Sequence, residues 1–239
     1  MTRSTTAAPI EAAEPRALRD RVARNLARAD AAQVRAMFRE INPHLVGDKR
    51  FEKRWAQPRK DAAVLVAIVA RRRPSVLLTV RAADMPSHAG QIAFPGGRVD
   101  PGDTDRVATA LREAREEVGL SAADVDVVGS MGVHQGGLGY AVTPIVGVVR
   151  AEAALRACPR EVAEIFEIPL DYILDLNNHI IETREHQGVR YNMFAVPHGE
   201  HHVWGLTAGI LRSLAEALGP AETAGAPASP AAAPAANEP

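Results

Sequence analysis

Short apolar runs alternate with polar segments rich in glycine and proline through most of the chain, a pattern typical of buried strands separated by turns. The two clearest runs cover residues 62–69 and 75–80, and an arginine-rich turn joins them. The other predicted strands are shorter or less regular, and they cover residues 91–94, 125–133, 141–149, 163–168 and 189–196.

Helical periodicity or composition marks four other segments of the chain. An amphipathic helix is predicted over residues 104–118, and it stops at Gly119, the residue type favoured just past a helix end. A last helix is predicted over residues 206–218, and residues 13–27 and 31–39 have helical composition. Strands on both sides of one central helix, with a final helix to cover the sheet, predict an α/β/α sandwich with a mixed sheet.

Three parts are expected along the chain. Residues 1–40 form a helical extension, in which Leu18, Val22 and Leu26 recur at fourfold spacing, and residues 41–219 form the main domain. Residues 220–239 are dominated by alanine and proline without an apolar period, so we expect a disordered tail. Whether the extension packs on the domain or on a partner subunit stays open.

A glycine turn, which begins with Gly96-Gly97, precedes the helix over residues 104–118, and the helix carries three closely spaced glutamates. Glu113, Glu116 and Glu117 fall within an arc of about 100° on the helix surface. Like charges at this spacing repel, and a divalent cation with oxygen ligands would remove that conflict. The pattern therefore predicts a carboxylate metal site beside a backbone turn, whereas the alternative interpretation is a solvated acidic helix face.

Two neighbours of the glutamates fit the metal-site interpretation. The backbone carbonyl of Gly97 can supply another oxygen, because glycine has no side chain to obstruct its approach. Arg112 precedes Glu116 by four residues and can hold it by a charge-assisted hydrogen bond. We expect Glu116 and Glu117 to be the principal ligands of Mg²⁺ or Mn²⁺, with Glu113 as ligand or general base.

This segment resembles the signature of the Nudix hydrolases, which cleave the pyrophosphate of a nucleoside diphosphate linked to another group. The resemblance implies a Nudix-type α/β/α sandwich and rests on Gly97, Arg112-Glu113, Glu116-Glu117 and Gly119-Leu120. One departure concerns Asp103, which stands where the family pattern has glutamate and precedes the arginine by nine residues rather than eight. A helix N-cap role for Asp103 is at least as well supported as a role in metal binding.

A second stretch, residues 77–82 and 88–97, resembles the mark of the coenzyme A pyrophosphatase subgroup of Nudix hydrolases, with further similarity at residues 161–170 and 203–208. Pro86 stands where many subgroup members have arginine. The resemblance implies cleavage of coenzyme A or its thioesters into adenosine 3′,5′-bisphosphate and 4′-phosphopantetheine. We expect the substrate to be contacted by Arg81, His88 and Gly96.

The extra 3′-phosphate of coenzyme A calls for compensating positive charge. Arg81 and the basic residues between Lys49 and Lys60 could supply that charge, since guanidinium and ammonium groups bind phosphate. A solvated basic face is the alternative interpretation of the run from Lys49 to Lys60.

Residues after the helix offer one more carboxylate. Glu161 and Glu164 are both candidates for a base or a second-metal ligand, and we prefer Glu161 because it starts its segment. The predicted catalytic set is therefore Arg112, Glu113, Glu116 and Glu161.

Several other residues have a functional and a structural interpretation. His88 and His134 could bind phosphate or move protons, although structural hydrogen bonding is the simpler role for both. The glycines of residues 136–139 could close over a substrate, whereas a hairpin connection is the default. Trp204 is expected in the core or an interface rather than under an adenine ring.

Composition limits the remaining classes of function. With 239 residues and a net charge of −1, the chain offers no global reason to expect a nucleic acid or an acidic membrane as partner. Cys158 is the only cysteine, which excludes an intrachain disulfide and agrees with a reducing cytosol. No stretch approaches ~20 apolar residues, and residues 1–10 lack the apolar core of a secretion signal. We expect a cytoplasmic protein with a small-molecule substrate, and a homodimer stays open.

Two rival functions remain. The same chemistry could act on ADP-ribose, NADH or a dinucleoside polyphosphate, because one scaffold hosts many functions. A non-catalytic nucleotide-binding module is the rival of a different class. Such a module is expected to lose metal carboxylates, whereas Glu113, Glu116 and Glu117 are all present.

Overall fold

A ten-residue apolar strand, β1 (Lys60–Val69), forms the centre of the protein. The computed structural model describes residues 15–26, 37–49, 59–85, 88–136, 139–186 and 188–219. The other strands are β2 (Ser75–Arg81), β3 (Ile92–Ala93), β4 (Gly96–Arg98), β5 (Val125–Ser130), β6 (His134–Gly136), β7 (Tyr140–Val149), β8 (Val162–Pro169), β9 (Ile180–His186), β10 (Val189–His198) and β11 (His201–Trp204). The helices are α1 (Pro15–Leu26), α2 (Arg106–Val118), α3 (Leu170–Leu174) and α4 (Gly205–Leu218).

The main sheet is mixed. Its strand order is β3-β2-β1-β7-β5, with β4 paired to β1, β6 to β7 and β8 to β2. β1 and β7 run parallel along their whole length, whereas the other pairs are antiparallel. Strands β9, β10 and β11 form a second, antiparallel sheet.

β1 separates two apolar cores because successive side chains of a strand point to opposite faces. Ala63, Leu65, Ala67 and Val69 pack with the apolar stripe of α2. Ala62, Val66 and Ile68 belong to the larger core on the other face, which contains residues of α1, α3 and α4. Helices therefore cover both faces of a mixed sheet, and the predicted α/β/α sandwich is confirmed.

Helix α1 packs on this larger core. Leu18, Val22 and Leu26, the residues at fourfold spacing, are all buried there, and Arg19 Nε lies 2.7 Å from Asp126 Oδ2 at the start of β5. The first helix of the extension thus belongs to the folded domain. Of the second predicted helix, residues 37–39 lie in a helical segment over residues 37–41, and the rest falls outside the described residues, as do residues 1–14, 50–58 and 220–239.

The chain departs from the predicted elements at several places. The strand predicted over residues 125–133 ends at Ser130, opposite Ile145, and pairing with β7 resumes only at His134, opposite Val142. Pro144 lies in this gap and has no backbone N–H to donate. The elements α3, β4, β6, β9 and β11 were not predicted.

Among the described residues, no helix is both long and apolar enough to cross a membrane.

Candidate active site

The predicted glycine turn forms strand β4, so Gly96 and Gly97 lie in the main sheet. β4 pairs antiparallel with the start of β1, and this pairing places Gly97 opposite Ala63 and Gly96 opposite Val64. A Cβ added to Gly96 would lie 2.5 Å from the carbonyl oxygen of Ala63, and one added to Gly97 would lie 2.3 Å from Glu113 Oε1. Both positions therefore need glycine, the first for strand packing and the second to admit a carboxylate.

A loop connects β4 to helix α2, and both ends of α2 are capped. The Asp105 side chain accepts a hydrogen bond of 2.8 Å from the amide of Ala108 and caps the N-terminus. Gly119 ends the helix in the left-handed conformation, with φ of 68°. The predicted N-cap role of Asp103 is wrong, because Asp105 fills that position.

Asp103 instead binds Arg112. Its two carboxylate oxygens each lie 3.0 Å from a guanidinium nitrogen of Arg112, and it also accepts hydrogen bonds from Thr109 Oγ1 and the amide of Asp100. The Arg112 guanidinium, followed by the Asp100 amide, holds the pKa of Asp103 well below its ordinary value. Because both of its carboxylate oxygens accept hydrogen bonds, Asp103 holds Arg112 in position.

Arg112 also contacts two of the predicted metal ligands. Its Nη1 donates to Glu113 Oε1 at 2.8 Å and to Glu116 Oε2 at 3.2 Å, while Nη2 donates to the carbonyl of Arg98 at 3.1 Å. Through these bonds one planar guanidinium group fixes the glycine turn and two glutamates relative to each other.

Glu117 is the most buried of the three glutamates, with 4% of its side chain exposed. Oε2 accepts a hydrogen bond of 3.2 Å from the amide of Gly96, and Oε1 lies 3.5 Å from Arg81 Nη1. Burial raises the pKa of Glu117 to about 7, and the negative charges of Glu113 and Glu161 act in the same direction. A positive charge at this place would stabilise the ionised carboxylate.

Glu113 and Glu116 differ in exposure. Glu113 is largely buried between Gly97 and Arg112, and burial raises its pKa although Arg112 opposes the shift. Glu116 is 48% exposed and faces the solvent side of the helix. The site thus runs from the buried Glu117 through Glu113 to the accessible Glu116.

The two candidate carboxylates after the helix lie in different surroundings. Glu161 precedes β8, its carbonyl accepts a hydrogen bond of 2.9 Å from the amide of Ala82, and its charge acts on both Glu113 and Glu117. Glu164 is about half exposed and pairs with His201 at 3.1 Å. Glu161 is therefore the carboxylate next to the site.

A match over half of the chain decides the family. The family model for the NUDIX domain matches residues 59–180, which include the glycine turn, α2 and Glu161. The protein belongs to the Nudix family.

Relatives carry the same family name. The uncharacterized Nudix hydrolase NudL of Photorhabdus laumondii is 42% identical over 164 residues, which cover 69% of this chain and 88% of that protein. The protein of the same name from Yersinia pestis is 43% identical over 155 residues, covering 65% of this chain and 78% of that protein. Among solved structures, the Nudix hydrolase RenU of M. smegmatis has 25% identity and a TM-score of 0.41, over 50% of this chain and 76% of that one.

Of the three residues predicted to bind substrate, Arg81 and Gly96 lie beside the glutamates and His88 does not. Arg81 ends β2 beside Glu117, and its buried Nε has no hydrogen-bond partner among the described residues. Gly96 contributes its amide to Glu117. His88 is exposed, has a φ of 61°, and contacts Gln91 Oε1 through Nδ1 at 2.6 Å. The structure therefore brings Arg81 and Gly96 to the glutamates and gives His88 no contact with them.

Three other candidates have structural surroundings. His134 is buried, with Nδ1 2.8 Å from the carbonyl of Gly132 and Nε2 2.9 Å from Ser213 Oγ. The guanidinium group of Arg184 lies over the ring of Trp204, with its Cζ atom 5.4 Å from the ring centroid. Gln135 and Ala141 pair across the β6–β7 hairpin, while residues 137–138 fall outside the described residues.

Nudix hydrolases generally use a divalent metal ion, and the donor set here suits one. In the described ranges, no three side chains of His, Cys, Asp or Glu are grouped closely enough to hold an ion as they stand; Arg112 and Arg81 contact the glutamates instead. However, the donors are all hard oxygens, the lack of a side chain at Gly97 lets the Glu113 carboxylate lie against the Gly97 backbone, and the buried carboxylate of Glu117 has a raised pKa. These residues fit a magnesium- or manganese-type ion.

Proposed function

We propose that this Nudix hydrolase cleaves the pyrophosphate of coenzyme A or its derivatives, giving adenosine 3′,5′-bisphosphate and 4′-phosphopantetheine, with Mg²⁺ or Mn²⁺ as cofactor. The main support is the contact between Arg81 and Glu117. Arg81 belongs to the sequence stretch that resembles the coenzyme A subgroup, and Glu117 belongs to the Nudix helix. The two stretches therefore meet at one site.

Four carboxylates and two arginines share the work of this site. The metal ion supplies charge neutralisation of the phosphates and acidification of water when it is bound. Glu116 and Glu117 would hold it, with Glu113 as a further ligand or as the base, and the carbonyl of Gly97 as another oxygen donor. Glu161 is the alternative base, since its charge already acts on Glu113 and Glu117.

The arginines have separate roles in this proposal. Arg112 orients Glu113 and Glu116 through the bonds described above. Arg81 contacts Glu117 through Nη1, and its side chain, which is 19% exposed, would bind a phosphate oxygen of the substrate.

Product analysis tests the proposal. Purified protein with Mg²⁺ or Mn²⁺ is incubated with coenzyme A, ADP-ribose or NADH, and the products are separated by chromatography. Adenosine bisphosphate and phosphopantetheine formed from coenzyme A, faster than AMP from the other two, is the expected result. AMP from ADP-ribose or NADH with coenzyme A untouched would keep the Nudix chemistry and discard the substrate, and no product from any compound would favour a binding module.

A further inference from the structure

An open groove of about 470 Å³ lies at the C-terminal end of α2, next to the glutamates. Arg115, Glu116 and Gly119 line it on the helix side, and residues 156–160 line it on the other side. The loop is fixed to the helix, because the amides of Arg156 and Cys158 donate to the carbonyls of Val118 and Glu117, both at 2.8 Å. These bonds satisfy carbonyls that the end of a helix otherwise leaves unpaired.

The groove concentrates positive charge. Arg115, Arg156 and Arg160 line it together with a single acid, Glu116, whereas the whole chain has a net charge of −1. In the part of the chain that the structure describes, the side chains of these three arginines have no hydrogen bond or ion pair. By contrast, Arg71 and Arg73 are each paired with a carboxylate. Arg115 favourably complements the helix dipole, but the dipole does not account for two further arginines from the loop.

The groove is continuous with the proposed metal site. Glu116 is a lining residue of the groove and a proposed ligand. Glu161, whose charge acts on Glu113 and Glu117, directly follows Arg160. A substrate whose pyrophosphate lies at the glutamates can therefore extend a second anionic group toward the arginines.

We propose that this groove binds a phosphate monoester which the substrate carries in addition to its pyrophosphate, with Arg156 and Arg160 as the main ligands. A guanidinium group presents a planar fork of donors that matches phosphate oxygens, and unpaired arginines lose no ion pair when they bind. The inference rests on the proposed function and narrows its substrate class to nucleotides with a third, separate phosphate.

A binding experiment without metal isolates the groove from catalysis. Calorimetry compares adenosine 3′,5′-bisphosphate with adenosine 5′-monophosphate, which lacks only the additional phosphate. The wild-type protein binds the bisphosphate about tenfold more tightly, and Arg156→Ala/Arg160→Ala removes that difference. Equal binding of the two compounds, binding of neither, or a difference that survives in the double variant overturns the proposal.

A kinetic experiment separates this proposal from the proposed function. The measured quantity is the ratio of kcat/KM for coenzyme A to that for 3′-dephospho-coenzyme A, which falls about tenfold in Arg156→Ala/Arg160→Ala. Arg72→Ala/Arg73→Ala is the matched control, since it removes two exposed arginines from the turn between β1 and β2, at the other end of β2 from Arg81. An unchanged ratio in the groove variant overturns the inference. Failure to hydrolyse either compound would count against the proposed function. The calorimetric comparison of the two adenosine nucleotides would still show whether the groove binds the additional phosphate.

Discussion

A single arginine organises the candidate site at the scale of individual residues. Arg112 donates hydrogen bonds to both carboxylate oxygens of Asp103 on one side, and to Glu113 and Glu116 on the other. The sequence predicted only its bond to Glu116, because that pair is a local helical contact. Its partnership with Asp103 depends on how the loop folds back over nine residues, and spacing alone assigned Asp103 a different role.

Glu116 provides the most direct test of the proposed chemistry. Glu116→Gln keeps the shape of the side chain and removes its charge at an exposed position, so the fold should persist while kcat falls at least about a hundredfold. Hydrolysis and thermal unfolding are measured together. Glu164→Gln is the control, because Glu164 is an equally exposed acid that pairs with His201. Full activity of Glu116→Gln would show that Glu116 is not a metal ligand needed for hydrolysis.

His134 gives the protein a pH dependence of stability that is separate from catalysis. Burial lowers the pKa of His134 in the folded protein, so the unfolded chain binds the proton first as pH falls. The free energy of unfolding should therefore decrease as pH drops below the ordinary histidine pKa of about 6.5, by at most about 1.4 kcal/mol per pH unit for this group. His179, whose pKa burial also lowers, acts in the same direction.

Urea unfolding at pH 5.5 to 7.5 measures this slope. His134→Gln should flatten the decrease, and His88→Gln, at an exposed position, should leave it as in the wild type. A slope that is the same in His134→Gln and in the wild type would contradict the assignment.

At the scale of elements, the short strand β4 determines how closely α2 approaches the sheet. Both of its glycines are needed, but for different neighbours. Gly96 faces the backbone of β1, which cannot move aside, whereas Gly97 faces the end of the Glu113 side chain, which can rotate.

This difference predicts that alanine at Gly96 mainly lowers stability, whereas alanine at Gly97 mainly weakens metal binding. Gly96→Ala should lower the free energy of unfolding by about 1–3 kcal/mol because of overpacking against β1. Gly97→Ala should change the free energy of unfolding by less than about 1 kcal/mol but weaken Mn²⁺ binding, since the new methyl group displaces the Glu113 carboxylate. Urea unfolding and calorimetric titration with Mn²⁺ measure the two effects. Equal losses of stability, with unchanged metal affinity in Gly97→Ala, would show that Glu113 is not a ligand.

The elements that sequence patterns predicted are those with a strong period. β1, β2 and β7 are almost wholly apolar, and α2 separates an acidic arc from an apolar stripe. β9 was missed because its last five residues, 182–186, are all polar and give no alternating apolar pattern, and β11 has only four residues. The preference for Glu161 over Glu164 rested on position in a segment, whereas the pairing of β8 with β2 is what brings Glu161 beside Arg81.

The whole molecule is larger than its matched family region. Residues 59–180 match the NUDIX domain, yet α1 and α4 both contribute buried residues to the larger core. The sequence predicted the apolar spacing of α1, but a spacing does not identify the surface that a helix covers. The packing of α1 against α4 and β5 supplies that answer.

Leu18 tests whether α1 stabilises the domain. Leu18→Ala should lower the free energy of unfolding by about 2–5 kcal/mol, as expected for removal of a buried leucine side chain. Val46→Ala, at a residue that is 61% exposed, is the control and should change stability by no more than about 0.5 kcal/mol. A loss below about 1 kcal/mol for Leu18→Ala in urea unfolding would mean that α1 is dispensable for the domain.

The parallel pairing of β1 with β7 sets the order in which the chain becomes functional during synthesis. Eighty residues separate the paired positions, as for Lys60 and Tyr140, and pairing over such a separation is slow because the intervening loop must first be closed. On the ribosome α2 emerges before β7, while Ile145 and Val149 of β7 help to form the apolar core beneath it. The glutamates are thus translated early but acquire their final surroundings only after β7 has paired with β1.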